Sequence, residues 1–231
     1  MKLRILRDLL LASIFLFGIS CSDSDSTEEP QPMETSAKYS VTVTGNWNET
    51  NHPNNFPEND HFSPVAGMVH NNEVSLFTTG NLASPGIKKM AETGGTNPLD
   101  DEIEAFINGG DALSFIKDAG LPTGTSEIEF EIDLTKDHSL VSLVSMIAPS
   151  PDWFVAVSNV NLYENGLFLD EITVEAGTYD AGTDSGENFT SANLPSDPVE
   201  NIFAIKEAPL GNGTSVEIHL MSFQFKKISS Q

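Results

Sequence analysis

The residues best placed by type and spacing to do chemistry are aspartates. Asp152 follows Pro149-Ser150-Pro151 and precedes Trp153-Phe154-Val155. Prolines cannot donate ladder hydrogen bonds, so pairing stops there and Asp152 stands where a strand begins, at one end of a sheet. Asp180 and Asp184 lie four apart in Asp180-Ala181-Gly182-Thr183-Asp184-Ser185-Gly186. The glycines allow turns tight enough to direct both carboxylates toward one point. Calcium takes about six to eight oxygens from carboxylates, backbone carbonyls and water, and short aspartates on a glycine-rich loop suit it. No His and Cys set with ligand spacing accompanies them, so zinc fits poorly. Asp-Gly loops are also ordinary turns. On spacing alone, a plain turn and a calcium site both stay open.

Other reactive types read as structural. His52, His61 and His70 are spaced nine apart, but their neighbours show no ligand pattern, and local hydrogen bonding accounts for them. Ser139, Ser142 and Ser145 lie near His138 on an apolar run, whereas a hydrolase needs an exposed, activated nucleophile. Trp47 and Trp153 could stack on a sugar ring, but core packing suits them better.

The elements that would carry the aspartates are mostly strands. Tyr39 to Trp47 alternates and is rich in β-branched and aromatic residues. Between Glu127 and Leu134, acidic residues alternate with Ile128, Phe130, Ile132 and Leu134, the pattern of a half-exposed strand. Ser139 to Ala148 is nearly continuous apolar sequence, as in a strand covered on both faces. Asp152 to Tyr163 and Glu171 to Glu175 read as further strands. Ser215 to Lys227 reads as the last, with a phase change near Leu220 that predicts a bulge or a move between sheets. Ser84-Pro85 opens a short helix that stops before Gly94, and Asn97-Pro98 opens another that stops at Gly109-Gly110. Asp111 to Asp118 reads as a third helical turn or two. The whole predicts an all-β fold, an antiparallel β-sandwich with short helical insertions.

The N-terminal stretch is of another kind. Residues 1–20 carry Lys2, Arg4 and Arg7, then an apolar run from Leu9 to Phe17, then Gly18 and Ser20. This is the pattern of a secretory signal, and the run is too short to span a bilayer. Cys21 follows directly and is the one cysteine of the chain. Leu16 to Cys21 resembles a relaxed bacterial lipobox, which implies lipidation at Cys21 and a membrane anchor. Residues 21–37 then read as an acidic, Ser- and Pro-rich tether, and 38–231 as one domain. The acids just behind Cys21 resemble surface-export signals of outer-membrane lipoproteins. With 11 basic against 34 acidic residues, the formal charge is −23, which disfavours nucleic acid as a partner and makes cations natural ones.

Several stretches, in order, resemble the spondin domain of extracellular matrix proteins: Tyr39 to Trp47, His61 to Pro64, Ala91 to Gly94, His138 to Ser142, Pro149 to Val155 and Asp180 to Gly186. The resemblance implies a spondin-type β-sandwich with a calcium site at one end. It implies Asp152, Asp180 and Asp184 as ligands, with Asp133 as a further one, standing where glutamate is usual. The cysteines of animal spondin domains are missing here. The implied function is a calcium-binding, non-catalytic adhesion or recognition lipoprotein of the cell envelope, binding an extracellular glycan or protein. The alternatives are a structural envelope protein with a stabilising calcium and a calcium-dependent hydrolase.

Overall fold

The computed structural model describes residues 33–231. The predicted signal, Cys21 and the tether up to residue 32 lie outside the described residues. The first strand, β1 (Ser36–Gly45), begins two residues before the predicted domain boundary. Its entry is fastened by Thr35, whose amide donates to the carbonyl of Gln231 at 2.6 Å.

Two sheets form the body. β1 alternates between half-buried and buried positions, with Tyr39, Val41 and Val43 fully buried. It lies between β5 (Glu127–Thr135) and β13 (Met221–Ser230), and β10 (Glu171–Glu175) completes a four-stranded antiparallel sheet in the order β10-β13-β1-β5. The second sheet runs β12 (Phe203–Ala204), β11 (Gly177–Asp180), β7 (Trp153–Asn161), β6 (Leu140–Ala148), β3 (Ala66–His70) and β4 (Ala112–Lys117), with β2 (His61–Phe62) also on β6. A small hairpin pairs β8 (Tyr163–Glu164) with β9 (Leu167–Phe168). The prediction of an antiparallel β-sandwich holds.

Two apolar layers explain the burial patterns. The first gathers inward residues of both sheets, including Tyr39, Val41, Val141, Leu143, Val155, Phe223 and Phe225. The second lies on the other face of the larger sheet, where Met68, Val144, Met146 and Phe154 meet Ile87, Met90, Leu99 and Ile103 of the helices. β6 is therefore covered on both faces, which is why its sequence does not alternate. The helices, α1 (Pro85–Thr93) and α2 (Leu99–Gly109), stop as predicted. Ser84 Oγ accepts the Ile87 amide at the start of α1, and Gly94 takes the left-handed conformation at its end with φ 69°.

Two predicted elements differ. The stretch Asp111 to Asp118 contains strand β4 and no third helix; Ala112–Lys117 finds an edge on β3, and long-range pairing outweighs local propensity. The last strand begins at Met221, six residues later than Ser215. The phase change marks the entry from an irregular segment, with Ile218 exposed and Leu220 buried, and no strand crosses between sheets there.

Candidate metal centre at one end of the sandwich

Asp152 closes the turn between β6 and β7. Ser150 Oγ accepts the Trp153 amide at 3.1 Å and so sets the start of β7. β11 pairs antiparallel with β7, placing Asp180 opposite Trp153. The loop after Asp180 then folds back over Asp152. The Asp152 carbonyl accepts the Ala181 amide at 3.1 Å. Its carboxylate Oδ2 accepts the Thr183 amide at 2.6 Å, the Thr183 hydroxyl at 3.2 Å and the Asp184 amide at 3.0 Å. Gly182 makes the fold-back possible. It has φ 74°, and a Cβ there would stand 2.4 Å from the Glu200 carbonyl oxygen.

The other two carboxylates hold the same loop. Asp180 Oδ1 accepts the Gly182 amide at 2.7 Å, and Oδ2 accepts the Trp153 indole at 3.0 Å. Asp184 Oδ1 accepts the Gly186 amide at 2.9 Å, and Oδ2 accepts the Leu194 amide at 3.1 Å. Asp152 is fully buried and Asp184 nearly so. Among the described residues, no Lys, Arg or His makes an ion pair with any of the three.

That concentration of negative charge has two consequences. Burial pushes the Asp152 carboxyl up, against the hydrogen bonds from Thr183 and Asp184, and the Asp184 charge adds to the rise. Burial, followed by the Asp152 charge, pushes Asp180 up to about 7, with Glu200 contributing in the same direction. Asp152 Oδ1, moreover, is buried with no hydrogen-bond partner. Among the described residues it is the one carboxylate oxygen in that condition; the other three unpartnered atoms are Trp47 Nε1, His52 Nδ1 and Thr178 Oγ1. A bare buried carboxylate oxygen is costly unless a cation meets it.

The donor chemistry suits a hard cation: anionic oxygens, a neighbouring carboxylate and a loop rich in carbonyls. Among the described residues, no three acidic, His or Cys side chains converge closely enough to hold a metal by themselves. Any calcium here would draw on Asp152 with its neighbours Asp180 and Asp184, and take further oxygens from backbone carbonyls and water. Asp184, like Asp180, accepts one N–H on each oxygen, and each such oxygen keeps a lone pair for a cation.

Asp133 is placed elsewhere. It sits on β5 opposite Lys38, with its side chain 71% exposed and paired to that lysine at 3.0 Å. Lys38 is near the start of β1, whereas the Asp152 end lies past Gly45. There Trp47 packs on Phe189, which also packs on Trp153. Seven strand residues, about 23 Å, separate Lys38 from Gly45. The correction follows from register: the solvent-facing acids of β5 run from Glu127, opposite Thr44, to Asp133, opposite Lys38 at the far end, so Asp133 does not join the other three.

Thr183 and Glu200 are components that the sequence does not single out, and Trp153, expected to pack in the core, also donates its indole N–H to Asp180. Their signals were the unbroken motif around Asp184 and the tryptophan following Asp152. Beside the cluster opens a cleft of about 1080 Å³, lined by Asp180, Trp153, Asn54, Asn55, Asn188 and Phe203 among others. The predicted structural roles of the histidines agree with their contacts. His52 bonds the Ile218 carbonyl, His61 the Asn59 carbonyl, and His70 the Asn71 carbonyl and Ser142.

Comparison with known proteins decides the family. The Spondin_N family profile matches residues 37–215. This chain belongs to the Spondin_N family. It is 35% identical over 176 residues to Spondin-2 of Homo sapiens, covering 73% of this chain and 52% of that protein. It is 34% identical over 176 residues to Spondin-1 of Gallus gallus, covering 72% of this chain and 21% of that protein. The chain thus spans about half the length of Spondin-2 and about a fifth of Spondin-1. The matched Spondin_N range contains Asp152, Asp180 and Asp184 and stops before β13, although β13 is an inner strand of its sheet.

Proposed function

We propose that this Spondin_N chain is a calcium-stabilised, non-catalytic recognition module of the bacterial cell envelope, exported and anchored through lipid on Cys21 and displayed at the outer surface. The observation that carries the calcium reading is Asp152: fully buried, bound to the 180–184 loop through Oδ2, and bare at Oδ1 beside Asp180. A bound calcium would supply the positive charge that the cluster otherwise lacks. Asp152, Asp180 and Asp184 would hold it, while Thr183 keeps the loop in place.

Membership in a family whose named relatives include Spondin-1 and Spondin-2 supports an extracellular, non-enzymatic role. The cleft next to Asp180 offers a surface for an extracellular glycan or protein. The hydrogen-bonded His70 and Ser142 give the hydrolase alternative no nucleophile, since both are fully buried, out of reach of any substrate. Among the described residues, no helix is long and apolar enough to cross a membrane, so the membrane association proposed here rests on Cys21.

A cell-surface and glycan binding screen, run with wild type beside the Asp180→Ala, Asp184→Ala double variant, tests the recognition role. Binding by wild type that the variant loses supports metal-dependent recognition. Absence of binding by both favours a purely structural calcium. Labelling with a radioactive fatty acid, retained by wild type and lost in Cys21→Ser, tests the anchor.

A further inference from the structure

The two sheets end on the same side in two edge strands, β4 and β5, and among the described residues neither has a partner on its outer edge. Between them lies a slot of about 700 Å³, with Leu113, Ile116, Phe130, Ile132 and Leu134 among its lining residues. Phe130 and Leu113 are only partly buried against the core.

The backbone of β5 is oriented to receive a strand. Ser126 O accepts the Gly45 amide and Lys136 N donates to Thr35 O, so the even-numbered residues face β1. By the alternation of an antiparallel ladder, the amides and carbonyls of Glu127, Glu129, Glu131 and Asp133 face outward. Thr135, next in that series, uses its outward groups to pair with His138.

The side chains say what kind of strand would fit. A strand added to β5 would set alternate side chains about 4.5–5.5 Å from Glu127, Glu129, Glu131 and Asp133. Among the described residues one cation meets this row, Lys38, which bonds Glu131 at 3.3 Å and Asp133 at 3.0 Å, while Glu127 and Glu129 accept the Thr44 and Ser40 hydroxyls. Like charges directly opposite are destabilising. A second copy of this chain, pairing β5 to β5, would oppose the acidic row with itself. The remaining positions of an incoming strand would point into the slot, where Leu113, Ile116 and Phe130 offer apolar contacts beside the polar Ser114 and Lys117.

We propose that the outer edge of β5 takes up an extended peptide strand of a partner protein, with Lys or Arg at alternate positions and apolar residues between them. Main-chain bonds would provide the general affinity and the alternation the selectivity. This site is separate from the Asp152 cluster and does not depend on calcium.

The test uses the full chain and synthetic peptides of about seven residues, a common strand length. One peptide alternates lysine and valine, a second has the same composition in two blocks, and a third alternates glutamate and valine. The alternating lysine peptide is expected to bind at least about tenfold more tightly than either control, with or without calcium. On binding, hydrogen exchange should slow at the amides of Glu127, Glu129, Glu131 and Asp133. The Glu129→Lys, Glu131→Lys variant should keep its melting temperature and lose at least about tenfold in affinity. No binding, equal binding of the block peptide, protection elsewhere, or dimerisation through β5 would each overturn the proposal.

Discussion

Asp152 Oδ2 accepts the Thr183 amide at 2.6 Å, joining two loops 31 residues apart in sequence. The bond ties the turn between β6 and β7 to the loop that follows β11. The same oxygen also accepts the Asp184 amide, while the other oxygen of the carboxylate is buried without a hydrogen-bond partner.

Asparagine and alanine at position 152 should therefore behave differently. Asp152→Asn keeps an acceptor for Thr183 and Asp184, so the metal-free protein should melt close to wild type while its response to calcium disappears. Asp152→Ala leaves two buried amides unpaired, at about 1–3 kcal/mol for each such group. For a domain of this size, that corresponds to a fall of several degrees at ~2–4 °C per kcal/mol. Melts of both variants in chelator and in calcium make the comparison.

Asp180→Asn should shift the melting temperature in chelator only slightly, because loss of one acceptor, for the Gly182 amide or the Trp153 indole, offsets the relief of charge. The substitution removes a buried charge that the Asp152 carboxylate and Glu200 both oppose. The same variant should gain much less from calcium than wild type. A variant destabilised equally in both conditions would mean that Asp180 serves only as a loop anchor for Gly182 and Trp153.

Asp133→Asn should leave the calcium response unchanged. Its ion pair with Lys38 is solvent-exposed, and pairs of that kind contribute about 0–1 kcal/mol. A calcium titration of the variant, matched against wild type, checks this directly. Weakened calcium affinity would place Asp133 at the metal after all.

The long strands β1, β5, β6 and β7, the short β10 and both helix stops were legible because periodicity and capping are local properties: Ile128 to Leu134 alternates, Ser84-Pro85 starts α1, and Gly94 ends it. β3 and β11, five and four residues long, were not. Of the candidate site, the Asp152 turn and the 180–184 loop were legible from prolines and glycines. Their mutual contact was not, since it depends on β11 pairing with β7. Asp133 shows the limit from the other side. Its acidic neighbours were read correctly as a solvent-facing row, yet only the register with Lys38 reveals which end of the sandwich it occupies. β4 escaped because Ala112–Lys117 becomes a strand only through the edge that β3 offers it.

A second buried network predicts a pH dependence. His70 donates from Nδ1 to the Asn71 carbonyl, so its Nε2 accepts the Ser142 hydroxyl, which in turn accepts the Asn159 amide. Asn159 is the left-handed residue, φ 55°, of a bulge where β7 places two residues opposite Ser142. Burial holds His70 below its ordinary value of 6.5, against the hydrogen bond it donates to the Asn71 carbonyl. A depressed histidine contributes stability above the unfolded value, and that stability is lost as pH falls below about 6.5 toward the folded value. In calcium, wild type should lose more stability than His70→Gln between pH 7.5 and pH 5. His52, also lowered by burial, is common to both proteins and cancels in the difference.

The central claim is that a cation belongs beside the free oxygen of Asp152. Thermal melting of the full chain in calcium and in chelator tests it most directly. Calcium at about 100 times its dissociation constant should stabilise the fold by ~2.7 kcal/mol. That is a rise of about 5–10 °C for a domain of this size, and it should be absent in Asp152→Asn. Equal midpoints for wild type in the two conditions would contradict the account.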